Sequence, residues 1–218
     1  MSIPVLTIDG PSGAGKGTVS RTVAKKLGWH YLDSGSIYRS LAIAVLDAGV
    51  DLEDVAKVVE VAKNIQLEFE CGDELVVKLN GTDITDRLPT ETTGNTASII
   101  AAYPDVRAVL LQKQKDFQQA PGLIADGRDM GTVVFPEASN KVFLTASAEE
   151  RASRRYKQLK EKGIDANLVQ ITKEIEARDR RDQDRATAPL KAADDALYID
   201  SSNLSVDQVI EEVMNLVR

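Results

Sequence analysis

The chain is 218 residues long, 43% hydrophobic and 28% charged, with a formal net charge of −7 at pH 7. That is enough apolar material for a sizeable core, in one domain with insertions or in two small ones. The single Cys71 rules out an intrachain disulfide and a cysteine-rich zinc site, the lone His30 leaves little for histidine chemistry, and the acidic balance argues against nucleic acid as a partner.

Val5, Leu6 and Ile8 form a short apolar run of the kind that makes a buried parallel strand. The run breaks into GPSGAGKGT, residues 10–18, and then enters a helical pattern. A strand feeding a glycine-rich turn that opens a helix is the context of a phosphate loop. Gly10, Gly13, Gly15 and Gly17 allow backbone angles and approaches that a Cβ forbids, and the loop amides, those of Pro11's successors Ser12 and Ala14 included, can form an anion nest at a helix N-terminus. Lys16 adds a full positive charge for the β- and γ-phosphates. The residue after it is Gly17, where the usual pattern has Ser or Thr, so Thr18 is the hydroxyl expected on the Mg²⁺ side.

Val19, Val23, Ala24 and Leu27 continue the helix to a stop at Gly28, and residues 29–32 read as the next strand. DSGSIYR, residues 33–39, is expected as a turn ahead of a helix carrying Tyr38, Leu41, Ala42, Val45 and Leu46. A second helix should bury Leu52, Val55, Val59 and Ala62. Alternation at Ile65, Leu67 and Phe69 and at Leu75, Val77 and Leu79, with Asn80-Gly81 as a hairpin signal, predicts a small antiparallel sheet inserted in an α/β chain. Helical spacing returns from Thr90, passes Pro104 and resumes through Val106, Leu110 and Phe117. Residues 123–125 and 141–146 are further strands, the first leading into DGRDMG, residues 126–131. A basic helix over 148–162, a helix ending in RDRRDQDR (178–185), a strand at 197–200 and a final helix capped by Ser205 and Gln208 complete the chain. Strands alternating with helices imply a parallel sheet covered on both faces, with ligands at the C-terminal strand ends, so the turns after Asp9, Asp33 and Asp126 are expected to converge on one crevice.

There is no Ser/His/Asp set and no metal cluster in the sequence; its chemistry-bearing residues are phosphate binders. Phosphoryl transfer asks mainly for alignment and charge neutralisation. A phosphate acceptor is already anionic at pH 7, so no general base is needed, but donor and acceptor repel and cations must sit between them. Arginines 39, 107, 128, 151, 155, 178, 181 and 185 can supply these, paired with Asp129, Asp179 and Asp182.

GPSGAGKGT, DSGSIYR, GLIADGRDMGTVVFP and RDRRDQDR with the following Ala-Pro together resemble bacterial cytidylate kinases, over essentially the whole chain, antiparallel insert included. GKGT is the usual form of the loop in that group. The resemblance implies a P-loop NTP hydrolase-like α/β core with a central parallel sheet, a small antiparallel insert in the NMP-binding segment and a helical lid. It divides a single domain, 1–218, into core (1–37, 105–152, 179–218), NMP-binding segment (about 38–104) and lid (about 153–178). It implies transfer of the γ-phosphate of ATP to CMP or dCMP with Mg²⁺. From the lone cysteine, the lack of a long apolar run and the acidic balance, a cytoplasmic protein with no membrane or nucleic-acid partner is expected, and a monomer is the expected state. The residues the resemblance marks for ATP are Gly10, Pro11, Ser12, Gly13, Ala14, Gly15, Lys16, Gly17, Thr18 and Arg151, with Thr18 and Asp126 for the magnesium shell. Ser34, Tyr38 and Arg39 line the acceptor pocket, and Arg39, Arg128 and Arg185 take its phosphate. Ser98, Arg107 and Asp129 resemble the cytosine readers, and Asp182 and Arg185 lie near the sugar. Lys16, Arg128, Arg155, Arg178 and Arg185 are the catalytic set, Arg155 and Arg178 for transition-state charge.

Other readings remain at this stage. A GTP switch needs a guanine-reading NKxD, and the nearest string, Asn140-Lys141-Val142-Phe143, lacks the acid. A P-loop kinase of UMP, AMP or shikimate would share the loop and differ in the acceptor pocket. A non-catalytic nucleotide-binding module would need no second arginine set.

Overall fold

The computed structural model describes residues 3–71, 75–161 and 163–217. In chain order the elements are β1 (Val5–Asp9), α1 (Lys16–Leu27), β2 (His30–Asp33), α2 (Ser34–Asp47), α3 (Val55–Asn64), β3 (Leu67–Cys71), β4 (Leu75–Leu79) and β5 (Thr82–Asp83). They continue with α4 (Glu91–Ile100), α5 (Pro104–Lys115), β6 (Leu123–Gly127), β7 (Asn140–Thr145), α6 (Ala148–Glu161), α7 (Leu168–Asp184), β8 (Leu197–Asp200) and α8 (Val206–Val217). Two compact units result, one made of Met1–Leu32 with Gln118–Arg218 and the other of Asp33–Phe117.

The first unit is built on a five-stranded sheet in the order β2-β6-β1-β7-β8. β1 runs parallel to β6, with Asp9 opposite Gly127, and parallel to β7, with Asp9 opposite Phe143. Every residue of β1 and β6 is buried. Since strand side chains alternate between faces, both faces of the sheet are covered there. This is the doubly covered α/β sheet that the alternating pattern predicts. α1 ends at Gly28, whose φ of 66° is a left-handed conformation that glycine adopts without a Cβ penalty. α8 begins with the expected reciprocal cap: Gln208 N donates to Ser205 Oγ (3.2 Å) and Ser205 N to Gln208 Oε1 (2.8 Å). α6 and α7, the segment expected as a lid, pack around Ala152, Ile171 and Ile175. Lys162, counted in the basic helix, lies outside the described residues.

In the second unit the stretch 33–39 differs from its expectation. It is no turn: Ser34 already opens α2, because the Asp33 carboxylate accepts from Ser36 N (3.1 Å) and Ser36 Oγ (2.6 Å) and so caps the helix. α3 buries Val58 and Ala62, whereas Val55 and Val59 are half-buried, a rotation of about one residue from the predicted face. The antiparallel sheet β3-β4-β5 forms as its alternation demands. Asn80 (φ 50°) and Gly81 (φ 79°) make the two-residue turn between β4 and β5. α5, counted with the core from sequence, packs against α3 here.

Candidate active site

At the end of β1 the chain turns at Gly10 with φ 151°, and a Cβ there would lie 1.9 Å from the carbonyl oxygen of Leu144 on β7. The loop therefore rests directly on the β7 backbone. Gly15, with φ 91°, is the N-cap of α1, so the helix starts at Lys16 and its unpaired N–H groups and positive dipole end belong to the loop. Lys16 is buried, its Nζ donating to Pro11 O at 2.9 Å. Arg151, at the start of α6, donates to Ser12 O (3.0 Å) and Ala146 O (2.9 Å) and makes a two-pronged pair with Asp179 of α7 (2.5 and 3.1 Å). This side chain, expected among the ATP ligands, ties the loop backbone to α6 and α7.

The strand ends beside the loop carry a second set of groups. Tyr31 donates to Asp126 Oδ2 at 2.7 Å, and that oxygen lies 3.9 Å from where a Cβ on Gly17 would stand. Asp126 is thus fixed close to the first turn of α1, where Thr18 is exposed. Arg128 Nε donates to Asp182 Oδ2 at 3.0 Å. Burial opposes the charge of Asp182, yet Arg128, Arg178 and Arg185 around it hold its carboxyl below the usual carboxylate range. Burial likewise works against the Arg128 charge, and the carboxylates of Asp182, Asp126 and Asp179 together more than offset it. Arg185 Nε donates to Ala188 O at 2.7 Å, and Arg155 lies half-buried one turn beyond Arg151. Three of the four arginines expected around the transferred group, 128, 178 and 185, are gathered on one carboxylate.

Asp129 follows, only 2% exposed, at the head of a π-turn, Met130–Val134, and its carbonyl accepts from Val133 N and Val134 N. The turn is tied to β1 by Asp9, whose Oδ1 accepts from Met130 N (2.8 Å) and Oδ2 from Gly131 N (2.7 Å). Burial pushes the Asp9 carboxyl up to about 6, against the pull of those two bonds.

The second unit collects the other expected residues. Ser34 Oγ donates to Gln114 Oε1 at 2.7 Å. The Arg107 guanidinium lies 5.6 Å from the centroid of the Tyr38 ring and donates to Ala101 O at 3.2 Å. Arg39 donates to Leu88 O. Ser98 is buried in α4, and its hydroxyl meets no hydrogen-bond partner among the described residues.

The sequence profile of cytidylate kinase matches residues 6–218. The chain belongs to the cytidylate kinase family. A cytidylate kinase of Methylococcus capsulatus is 58% identical over 217 residues, spanning 100% of this chain and 98% of its own. One from Aeromonas salmonicida is 57% identical over 212 residues, 97% of this chain and 92% of its own. As a member of the family, the protein is a nucleoside monophosphate kinase. The sequence shows the loop, the arginines and their aspartates, but three residues that hold expected site groups in place are not marked by it. Asp9 reads from sequence only as a strand end. Tyr31 carries no local signal. Gln114 did carry one: it continues the four-residue spacing of Val106 and Leu110, so a polar side chain was due on the buried face of α5.

Proposed function

We propose that the protein transfers the γ-phosphate of ATP to CMP or dCMP, with Mg²⁺, giving ADP and the nucleoside diphosphate. The observation that carries this is the gathering of Arg128, Arg178 and Arg185 on Asp182, in the same unit as a phosphate loop. An acceptor phosphate would take over from the carboxylate as the focus of those guanidiniums. Such a phosphate has a second pKa of about 6 and is a ready nucleophile, so the dearth of histidine is no obstacle. Lys16 and the loop amides hold the donor phosphates, Arg155 and Arg178 meet charge developing in transfer, and the lid segment excludes water that would otherwise hydrolyse ATP.

The oxygen groups near the first turn of α1 fit a magnesium ion. Among the described residues no three His, Cys, Asp or Glu side chains cluster to cage a cation. Mg²⁺ asks for no such cage, taking one or two protein oxygens with phosphates and water. Asp126, oriented by Tyr31, and Thr18 would hold it, and it would neutralise donor-phosphate charge.

Cytosine presents an amino donor and a ring acceptor where uracil presents a carbonyl and an N–H. Asp129 can accept from the amino group and meets lone-pair repulsion from the uracil carbonyl; Arg107 and Ser98, whose buried hydroxyl has no hydrogen-bond partner among the described residues, are the other expected base readers. Sites of this kind discriminate strongly, because the wrong base leaves buried polar groups unmatched. The test is ADP formation with CMP, dCMP, UMP, AMP and GMP offered separately, in wild type and Asp129→Ala. CMP and dCMP should be preferred, and the variant should narrow the CMP/UMP ratio by about 1–3 kcal/mol. An unchanged ratio would remove Asp129 as a base reader, and ATP consumption independent of any acceptor would overturn the kinase reading.

A further inference from the structure

Asp9 stands outside every group assigned so far. It ends β1 and is followed at once by Gly10, the first residue of the phosphate loop. Its two carboxylate oxygens take the backbone N–H groups of Met130 and Gly131, the first two residues of the turn headed by Asp129. N–H groups at the head of a helical turn have no partner within it, and a carboxylate satisfies them with charge-assisted bonds. Here the cap comes from 121 residues away in sequence. The fit is close on the turn's side as well: a Cβ on Gly131 would lie 2.8 Å from Thr7 Oγ1 and 3.4 Å from Asp9 Oδ2.

We infer that Asp9 is the positioning residue for acceptor-base selection, holding the Asp129-bearing turn in register with the phosphate loop through its paired bonds to Met130 and Gly131. This rests on the reading of Asp129 as a base reader. Asp9 touches neither base nor phosphate; it acts through the backbone to which Asp129 is attached. A turn that needed only to be anchored could be anchored by neutral groups, yet this one is held by a carboxylate that is only 4% exposed and within electrostatic reach of Asp129 itself. Base discrimination by hydrogen bonds demands placement to a fraction of an ångström, which is what a two-point clamp on consecutive amides provides.

The test is Asp9→Asn, which keeps the shape but can accept only one of the two bonds. It is measured for kcat/KM with CMP and with UMP, alone and combined with Asp129→Ala. Expected is a folded protein whose CMP/UMP ratio falls at least about fivefold, and a double variant whose ratio matches that of Asp129→Ala alone within about twofold, since residues acting through one group are not additive. A purely structural role would lower both substrates alike and leave the ratio untouched; that result, or losses that simply multiply, overturns the inference. If Asp129→Ala itself keeps the wild-type ratio, the base-reader reading falls and the inference falls with it. If it narrows the ratio while Asp9→Asn does not, only the inference falls. Gly131→Ala, which pushes the turn away from β1 without altering a charge, gives the same readout should Asp9→Asn fail to fold.

Discussion

Replacing Gly10 by alanine tests whether the phosphate loop is seated on β7 as described. Two costs add. The φ of 151° is foreign to an L-residue and costs about 1–3 kcal/mol. The new Cβ would then stand 1.9 Å from Leu144 O and 2.9 Å from Leu144 C, where ordinary contact begins near 3.4 Å. Loop and strand must part by more than an ångström. β7 cannot yield freely, because it is paired to β1 on one side and β8 on the other. Losing even two ladder bonds adds about 2 kcal/mol, so the total comes to about 4 kcal/mol or more. Gly15→Ala is the control: φ there is 91° with nothing within 4 Å of the new Cβ, so strain alone acts, at about 1–2 kcal/mol. Urea unfolding of wild type and both variants, with the m-value checked for constancy, measures the difference. If Gly10→Ala costs no more than Gly15→Ala, the loop does not lean on β7 and the account of this glycine is wrong.

Lys16→Ala should all but abolish turnover while leaving a folded protein, since Lys16 sits where the loop enters α1 and its Nζ donates to Pro11 O, five residues back, at 2.9 Å; near-normal turnover in a folded variant would remove it from the donor site. Asp9 gives a prediction in pH. Its folded pKa of about 6 exceeds the ordinary 3.8, so the native state holds the proton more tightly between those values, and the stability due to Asp9 is greatest below the lower one and declines as pH rises to the upper. The stability of wild type relative to Asp9→Asn should therefore drop by about 2.4 kcal/mol from pH 4 to pH 7. A difference that stays flat across that range would show that burial does not raise this carboxyl.

What could be read from sequence was what repeats locally. The phosphate loop is legible because glycines, lysine and helix start fall within nine residues, and Asn80-Gly81 because a two-residue hairpin demands positive φ at both positions. DSGSIYR misleads because Ser34, Gly35 and Ser36 have the composition of a loop; the Asp33 cap converts them into the first turn of α2. α3 is only ten residues long, too few to distinguish the Val58 face from the Val59 face. The clamp on the Asp129 turn and the hold of Tyr31 on Asp126 join residues 121 and 95 apart, and no spacing rule reaches so far. The pairing of arginines with Asp179 and Asp182 was foreseeable as chemistry, but which arginine takes which aspartate is decided by where α6 and α7 pack.

The placement of Asp33–Phe117 between β2 and β6 bears on how the chain reaches its native state. β2 and β6 are neighbours in the sheet, and His30 N donates to Gly122 O at 2.9 Å, so the ends of this long excursion must meet before that edge of the sheet exists. Closing an unfolded stretch of that length costs about 4 kcal/mol of chain entropy. The excursion is a contiguous unit whose helix pairs, α2 with α4 and α3 with α5, and whose β3–β4 hairpin all form within residues 33–117. Formed first, it draws its own ends together and shortens the loop the sheet has to close. On that order assembly would run from the inside of the sequence outward, and the strand that launches the phosphate loop, though it precedes the excursion in sequence, would acquire its β6 neighbour only after the intervening unit has folded.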